Sequence, residues 1–401
     1  MQRVLLLLST LFALYACTGT VPHKAMEEKP AEQVTEELAG GLPGAEEPEE
    51  IPEDEGPPVL PIGEPLPHIA LLLPMQSPIF GTAAEAVHQG FMASARYNRQ
   101  ALPIRVYSDF DESASVIAAY RQAIANGAVA VVGPLTRNGV TALAERKRIP
   151  VPTLALNIVD TEPAPNMFFF GMSIESEARQ AAKLAKQQGL HQAIIVTVGN
   201  SLSQRLQAAF EEEWSNTDHG ILREIEFNND HNVFTDITDI SDTVVFLAAD
   251  AAKARRIRPY LPNKLPVYSS SQIFSGNENT LTNYDLNGIR FVDMPWLLQP
   301  DHPAVMVYQR ADPPLPIDRE RLYALGIDAF RLARLMIAGN AGKALPIDGV
   351  SGRIRLNGHI FQREAVPAKF VEGQARLGEA PYAPGTTMFP GRESGQESDQ
   401  L

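Results

Sequence analysis

PHIALLLPMQSPIFGTAAEAVHQGFMASARYN (residues 67–98) and AVAVVGPLTRNGVTALAERKRIPVPTLALN (residues 128–157) decide the fold. His68–Leu73 is a short apolar run that stops at Pro74, and a loop with Ser77 and Gly81 follows it. Ala84, Val87, Phe91 and Ala95 then recur at helical spacing and share one face. Ala128–Val132 and Val151–Leu156 are two further short apolar runs, each set off by helical pattern. Apolar runs of this kind predict a parallel sheet covered on both faces. Ligands and partners of such sheets meet the loops at the carboxyl ends of the strands. Here those loops are Met75–Gly81, Gly133–Arg137 and Asn157–Asp160.

A second series follows. Strands are expected at Met167–Gly171, Ala193–Val198, Ile221–Phe227, Thr243–Ala248 and Pro266–Ser270, with helices at Glu175–Gln188, Ser201–Trp214 and Ala251–Arg258. Phe291–Met294 is a short apolar run that could return the chain to the first unit. Arg319–Gly339 carries a stripe of Leu322, Leu325, Ala329, Leu332 and Met336. In Gly352–Arg363, Asn357-Gly358 predicts a hairpin with a type I′ turn. The expected architecture is α/β, with two Rossmann-like lobes built on parallel sheets, joined by several crossovers and separated by a cleft. The two-lobed body is placed at 67–380. Lobe 1 takes about 67–168 and 297–345, and lobe 2 about 172–292 and 350–377.

The chain of 401 residues has a formal net charge of −14 and one cysteine, Cys17. It lacks a Lys/Arg-rich cluster, which argues against a nucleic-acid partner. Met1–Ala16 has the form of an export signal, with Arg3 ahead of two apolar runs, and is too short to span a membrane. Leu14-Tyr15-Ala16-Cys17 resembles a bacterial lipobox, which makes Cys17 the expected site of acylation. Thr18, rather than Asp, follows it, which favours the outer membrane. Residues 17–66 read as a disordered tether. Lys24–Pro58 holds twelve acidic residues against two lysines, a net of −10, and ten prolines lie from Pro22 to Pro67. Such a segment cannot repay the entropy of folding. It would reach about 40 Å as a coil and roughly 150 Å in polyproline form. Residues 381–401 are expected to be a disordered tail.

No catalytic constellation stands out. The eight histidines are scattered, with no HExxH and no cysteine-based metal spacing, so no metal or cofactor is expected. Asp109 and Asp111 form a carboxylate pair, but the simpler reading is the start of a helix at Ser113. Gly199-Asn200-Ser201 reads as a helix cap, with Ser201 as N-cap and Gln204 completing a capping box. A free helix start could also contact a ligand. Ser269–Ser271 reads first as a turn and second as a polar clamp. Gly133-Pro134-Leu135-Thr136 is either a plain strand-to-helix turn or a place where backbone amides approach a bound group. The cleft or ligand-loop candidates are therefore Ser77, Gly81, Pro134, Leu135, Thr136, Asn157, Asn200, Ser201, Asp250 and Ser270.

Several pieces carry a resemblance: IALLLP, QGF at 89–91, VGPL at 132–135, LALN at 154–157, EAR at 177–179, RLYALGIDAF at 321–330 and GVSGRIRLNGHIFQR near the end. Their order and spacing resemble the LpoA-type penicillin-binding protein activators, the LppC/YraM lipoprotein family, from about His68 to Leu377. The resemblance implies a type I periplasmic-binding-protein fold and a non-enzymatic role. Outer-membrane lipoproteins of that family reach through the peptidoglycan layer and stimulate a class A penicillin-binding protein. Peptidoglycan is thus a further contact to consider. Longer members carry an N-terminal TPR-like helical domain. The acidic tether occupies that place here, which predicts a short form. A second reading stays open: a receptor closing on an amino-acid-like solute through Ser77, Thr136, Asn157, Asn200 and Ser270.

Overall fold

A computed structural model describes residues 61–378 except 63, 99–101, 216–218, 238–240 and 341. The signal, Cys17, nearly all of the tether and the tail lie outside the described residues. The tether reading runs slightly too far. Ile62 and Leu66 donate their N–H groups to Asn126 Oδ1 and to the Asn126 carbonyl, at 2.8 and 3.2 Å, so the packed body already includes them.

The first five strands are β1 (His68–Leu73), β2 (Ile104–Ser108), β3 (Ala128–Val132), β4 (Thr153–Ala155) and β5 (Met167–Phe170). The next five are β6 (Gln192–Thr197), β7 (Gly220–Glu226), β8 (Thr243–Leu247), β9 (Val267–Tyr268) and β10 (Ile289–Asp293). The last are β11 (Ile347–Asp348), β12 (Arg353–Asn357), β13 (Ile360–Glu364), β14 (Val366–Val371) and β15 (Gln374–Leu377). One sheet has the order β11-β12-β13-β5-β4-β3-β1-β2 and the other β15-β14-β10-β9-β8-β6-β7. The chain therefore passes between sheets after β5, after β10 and after β13. Pairing is parallel through β2-β1-β3-β4-β5-β13 and through β7-β6-β8-β9-β10, and antiparallel at the β11-β12-β13 and β10-β14-β15 edges.

Each sheet is buried on both faces, as the uninterrupted apolar runs require. Ile69, Leu71 and Leu73 enter one core with Val87, Phe91, Leu325 and Phe330. Ala70 and Leu72 enter the opposite core with Val116, Tyr120 and Leu143. In the second lobe Ile194 and Val196 face Ile257 and Phe291, while Ala193 and Ile195 face Leu206, Phe210 and Trp214. Each fully buried Val, Leu, Ile or Phe among them contributes about 1.5–3 kcal/mol.

Helix α1 (Gly81–Tyr97) crosses the long helix Ile317–Ile337 at backbone contact. A Cβ on Gly90 would lie 1.9 Å from the Tyr323 carbonyl oxygen, and one on Gly326 would lie 2.1 Å from that of Val87. Next to this crossing Phe91 and Phe330 meet edge to face at 5.2 Å. The QGF and RLYALGIDAF motifs thus supply the two halves of one helix contact.

Three readings need correction, and one strand went unread. Residues 350–364, assigned to lobe 2, pair with the first sheet: β13 runs parallel to β5, and Ile354 and Phe361 fill the first lobe's core. Only β14 and β15 of that stretch join the second sheet. The run at 291–294 does not return the chain, because β10 sits inside the second sheet between β9 and β14. The hairpin turn is shifted by one residue. Asn357 pairs with Ile360, leaving Gly358-His359 in the turn; Gly358 has φ 58° and His359 is not among the positive-φ residues, the pattern of type II′. Finally, β2 has no apolar run to announce it: IRVYS is a partly exposed edge strand.

Candidate functional site

The predicted cleft residues sit at the strand ends, and their polar groups turn inward. Ser77 Oγ accepts from the N–H groups of Ile79 and Phe80 at 3.4 and 3.2 Å, just before Gly81 opens α1. Gly133 has φ 110°, and a Cβ there would lie 1.9 Å from the Leu72 carbonyl oxygen. The Pro134 carbonyl accepts from Leu156 N–H at 2.9 Å, and the Leu135 carbonyl accepts from Asn157 Nδ2 at 3.1 Å. Thr136 caps helix α3 (Arg137–Ala144; α2 is Ser113–Ala125) by accepting from Gly139 N–H, and donates its hydroxyl proton to Asp111 Oδ1.

The second lobe follows the same pattern. Asn200, not Ser201, is the N-cap of helix α5 (Ser201–Trp214; α4 is Ile174–Gln187), with its Oδ1 accepting from Ser203 N–H at 2.8 Å. Ser201 is the first helical residue and is exposed. Asp250 caps helix α6 (Ala251–Ile257) through Lys253 N–H at 2.9 Å. Ser270 is buried and accepts from Gln272 N–H, while Ser269 Oγ donates to the Leu247 carbonyl at 2.7 Å. Every one of these contacts stays within the lobe that carries the loop.

Asp109 and Asp111 lie just ahead of the helix at Ser113, and neither is its N-cap, a position that Glu112 occupies. Asp109 Oδ1 accepts from Asp111 N–H at 2.7 Å, and its Oδ2 is buried with no hydrogen-bond partner. Burial pushes the Asp109 carboxyl above its ordinary value, against the hydrogen bond from Asp111.

What joins the lobes is a set of buried charges that the sequence reading did not assign to a site. Glu177 of α4 accepts from Arg363 Nη2 of β13 at 2.6 Å, and from Ser271 N–H at 3.0 Å. Arg321, in the first turns of the long helix, donates to Asp293 Oδ2 at the end of β10 at 2.7 Å. Its guanidinium also donates to the carbonyls of Ser271 and Phe274 and to Asp318. Burial alone would lower the Arg321 pKa, but Asp293, Glu177 and Asp318 raise it, so the guanidinium stays charged. Gln180 exchanges two hydrogen bonds with the backbone of Ala365, and Arg137 pairs with Glu175 at 3.6 Å. On the outer crossover Trp296 N–H bonds to the Val350 carbonyl, its ring stacks on Tyr323, and its indole N–H donates to Glu320. The one local signal in the sequence is Asp293, a charge that follows the apolar pair Phe291-Val292; Glu177 stands in the polar stretch Ser176-Glu177-Ala178-Arg179 and gives none.

Three cavities lie along the joining region: one of about 600 Å³ beside Asp250, Phe274 and Glu278, one of about 320 Å³ beside Met75, Gly81 and Glu85, and one of about 320 Å³ lined by Arg137, Asp160, Glu175 and Arg363. Among the described residues no cluster of His, Cys, Asp and Glu could hold a metal ion.

This architecture is shared with known proteins. A 34% identical Chromobacterium violaceum structure, described as a "putative branched-chain amino acid ABC transporter", matches with a TM-score of 0.66 over 76% of this chain and 100% of that one. The Haemophilus influenzae "LpoA (YraM) C-domain", described as "a regulator of PBP1A", matches at 24% identity and a TM-score of 0.65, over 77% and 99% of the two chains. The curated Haemophilus influenzae "Penicillin-binding protein activator LpoA" is 29% identical over 280 residues, which is 66% of this chain and 47% of that protein. The chain spans about half the length of the curated relatives it matches. The "LppC putative lipoprotein" family model matches residues 63–243 and 235–373, nearly all of the two-lobed body, and the chain belongs to that family.

Proposed function

We propose that the chain is a non-enzymatic lipoprotein regulator that binds a class A penicillin-binding protein and stimulates its peptidoglycan synthesis. The observation that carries this reading is the match to curated activators along the two-lobed body. A regulator of this kind acts by binding one conformation of the enzyme better than another. The cross-lobe ion pairs favour such a role, since they would hold a fixed docking surface. Acylation at Cys17 would anchor the chain in the outer membrane, facing the periplasm, and the acidic segment would let the body reach the synthase through the peptidoglycan. The candidate loops, in this reading, serve to shape that body.

The direct test is binding of a purified class A synthase to the immobilised soluble chain beginning at Thr18. Saturable binding supports the reading, and none at micromolar synthase rejects it for that enzyme.

A second reading, a receptor for an amino-acid-like solute, is favoured by the cavity beside Asp250 and by the 34% identical transporter-described structure. It requires a ligand-dependent rise in thermal midpoint of RT ln(1 + [L]/Kd) in free-energy terms. No rise with a panel of amino acids and muropeptides removes it.

A further inference from the structure

Two of the cavities in the joining region, those beside Asp250 and beside Met75, meet at Leu315, which lines both. Joined at Leu315, the two would form one groove from the start of α1 in the first lobe to the loops after β8 and β9 in the second. We propose that this groove grips an extended polypeptide segment carrying Lys or Arg among apolar residues. We further assign that segment to the synthase, a step that rests on the function proposed above.

Three observations carry the inference. The floor is apolar, with Met75 on one side of Leu315 and Phe274 and Ile317 on the other. The charge along it is mainly negative: Glu85, Asp250, Glu278 and Asp318 stand against Arg255 and Arg319, with Asp318 also accepting from Arg321 at 2.8 Å. Asp318 is 92% exposed, and the Arg255 guanidinium is turned to its own lobe, donating to Thr282, Ser275 and Asn283. Large apolar side chains also stand free near both ends. Ile79, 76% exposed, lies two residues before Gly81, and Leu281, 91% exposed, lies three residues after Glu278. An acidic groove with an apolar floor and apolar ends complements a chain that alternates those characters. A small polar solute would need several unengaged donors converging on it. Here the Gln89 amide already donates to Glu85, and the Arg255 guanidinium to Thr282, Ser275 and Asn283.

The test uses the full soluble chain and its Glu85→Lys/Glu278→Lys double variant. A Lys147→Glu/Arg148→Glu variant, altered at the amino end of β4, is the control. The probes are a fluorescein-labelled peptide of alternating Leu and Lys and its Leu/Glu counterpart. The Lys peptide is expected to bind wild type and control alike and the groove variant about tenfold more weakly, with synthase affinity falling in parallel. The Glu peptide is expected not to bind. Equal binding of the Lys peptide to wild type and groove variant, or none to either, overturns the groove assignment whatever the synthase does. The expected peptide result with synthase affinity unchanged between wild type and groove variant overturns the assignment of the segment to the synthase. A synthase that fails to bind wild type overturns the proposed function, and the peptide arm still decides the groove.

Discussion

The loops at the strand ends and the segments that join the two sheets handle polar groups in opposite ways. At the strand ends, Ser77, Thr136, Asn200, Asp250 and Ser270 each satisfy a turn or a helix start within one lobe. In the joining segments, Glu177 pairs with Arg363 and Arg321 with Asp293 across the two lobes, with all four side chains largely buried. The first arrangement shapes each lobe, and the second fixes one lobe against the other. A buried charge left alone is far more costly than a lost cap, so the two regions should respond to mutation on different scales.

The largest effect is expected at Arg321→Ala, which leaves Asp293 buried without its partner. It should remove about 3–5 kcal/mol from the stability measured by urea unfolding. Gly326→Ala tests the helix crossing below that joint. The added methyl meets the Val87 carbonyl, so the helices must separate, at about 3 kcal/mol by the same measurement.

Asp109→Asn should act in the other direction. The raised pKa means that the folded state keeps a proton which the unfolded chain has already released, so stability falls as pH rises through that window. Asn keeps an acceptor for Asp111 N–H and removes the charge. The variant should be more stable than the wild type at pH 7.5, with the difference shrinking as the pH falls into the range where Asp109 is protonated in both states. The smallest effect is expected from Asn200→Ala in a strand-end loop, about 1 kcal/mol, with synthase binding unchanged. If Asn200→Ala cost as much as Arg321→Ala, the contrast between the two regions would fail.

The sheets were legible because strands buried on both faces, such as ALLL at 70–73 and AVAVV at 128–132, have to be apolar throughout. The edge strand β2 was not legible, since half exposure dilutes its pattern. The hairpin at 353–364 was legible as a hairpin. Its lobe was not, because nothing local tells Phe361 which of two sheets it will complete. The cap at Asn200 was missed by one residue, since Asn and Ser are both good caps and stand side by side. The strand-end loops were located correctly, but sequence does not say which way a hydroxyl turns. The cross-lobe charges escaped because Glu177 and Arg363 lie 186 residues apart, and only the fold brings them to 2.6 Å.

The most direct test of the account is the steady-state rate of glycan polymerisation by the organism's class A penicillin-binding protein, titrated with the soluble chain beginning at Thr18. The account predicts a saturable rise in rate, accompanied by increased cross-linking. A rate that stays flat across the titration would contradict it.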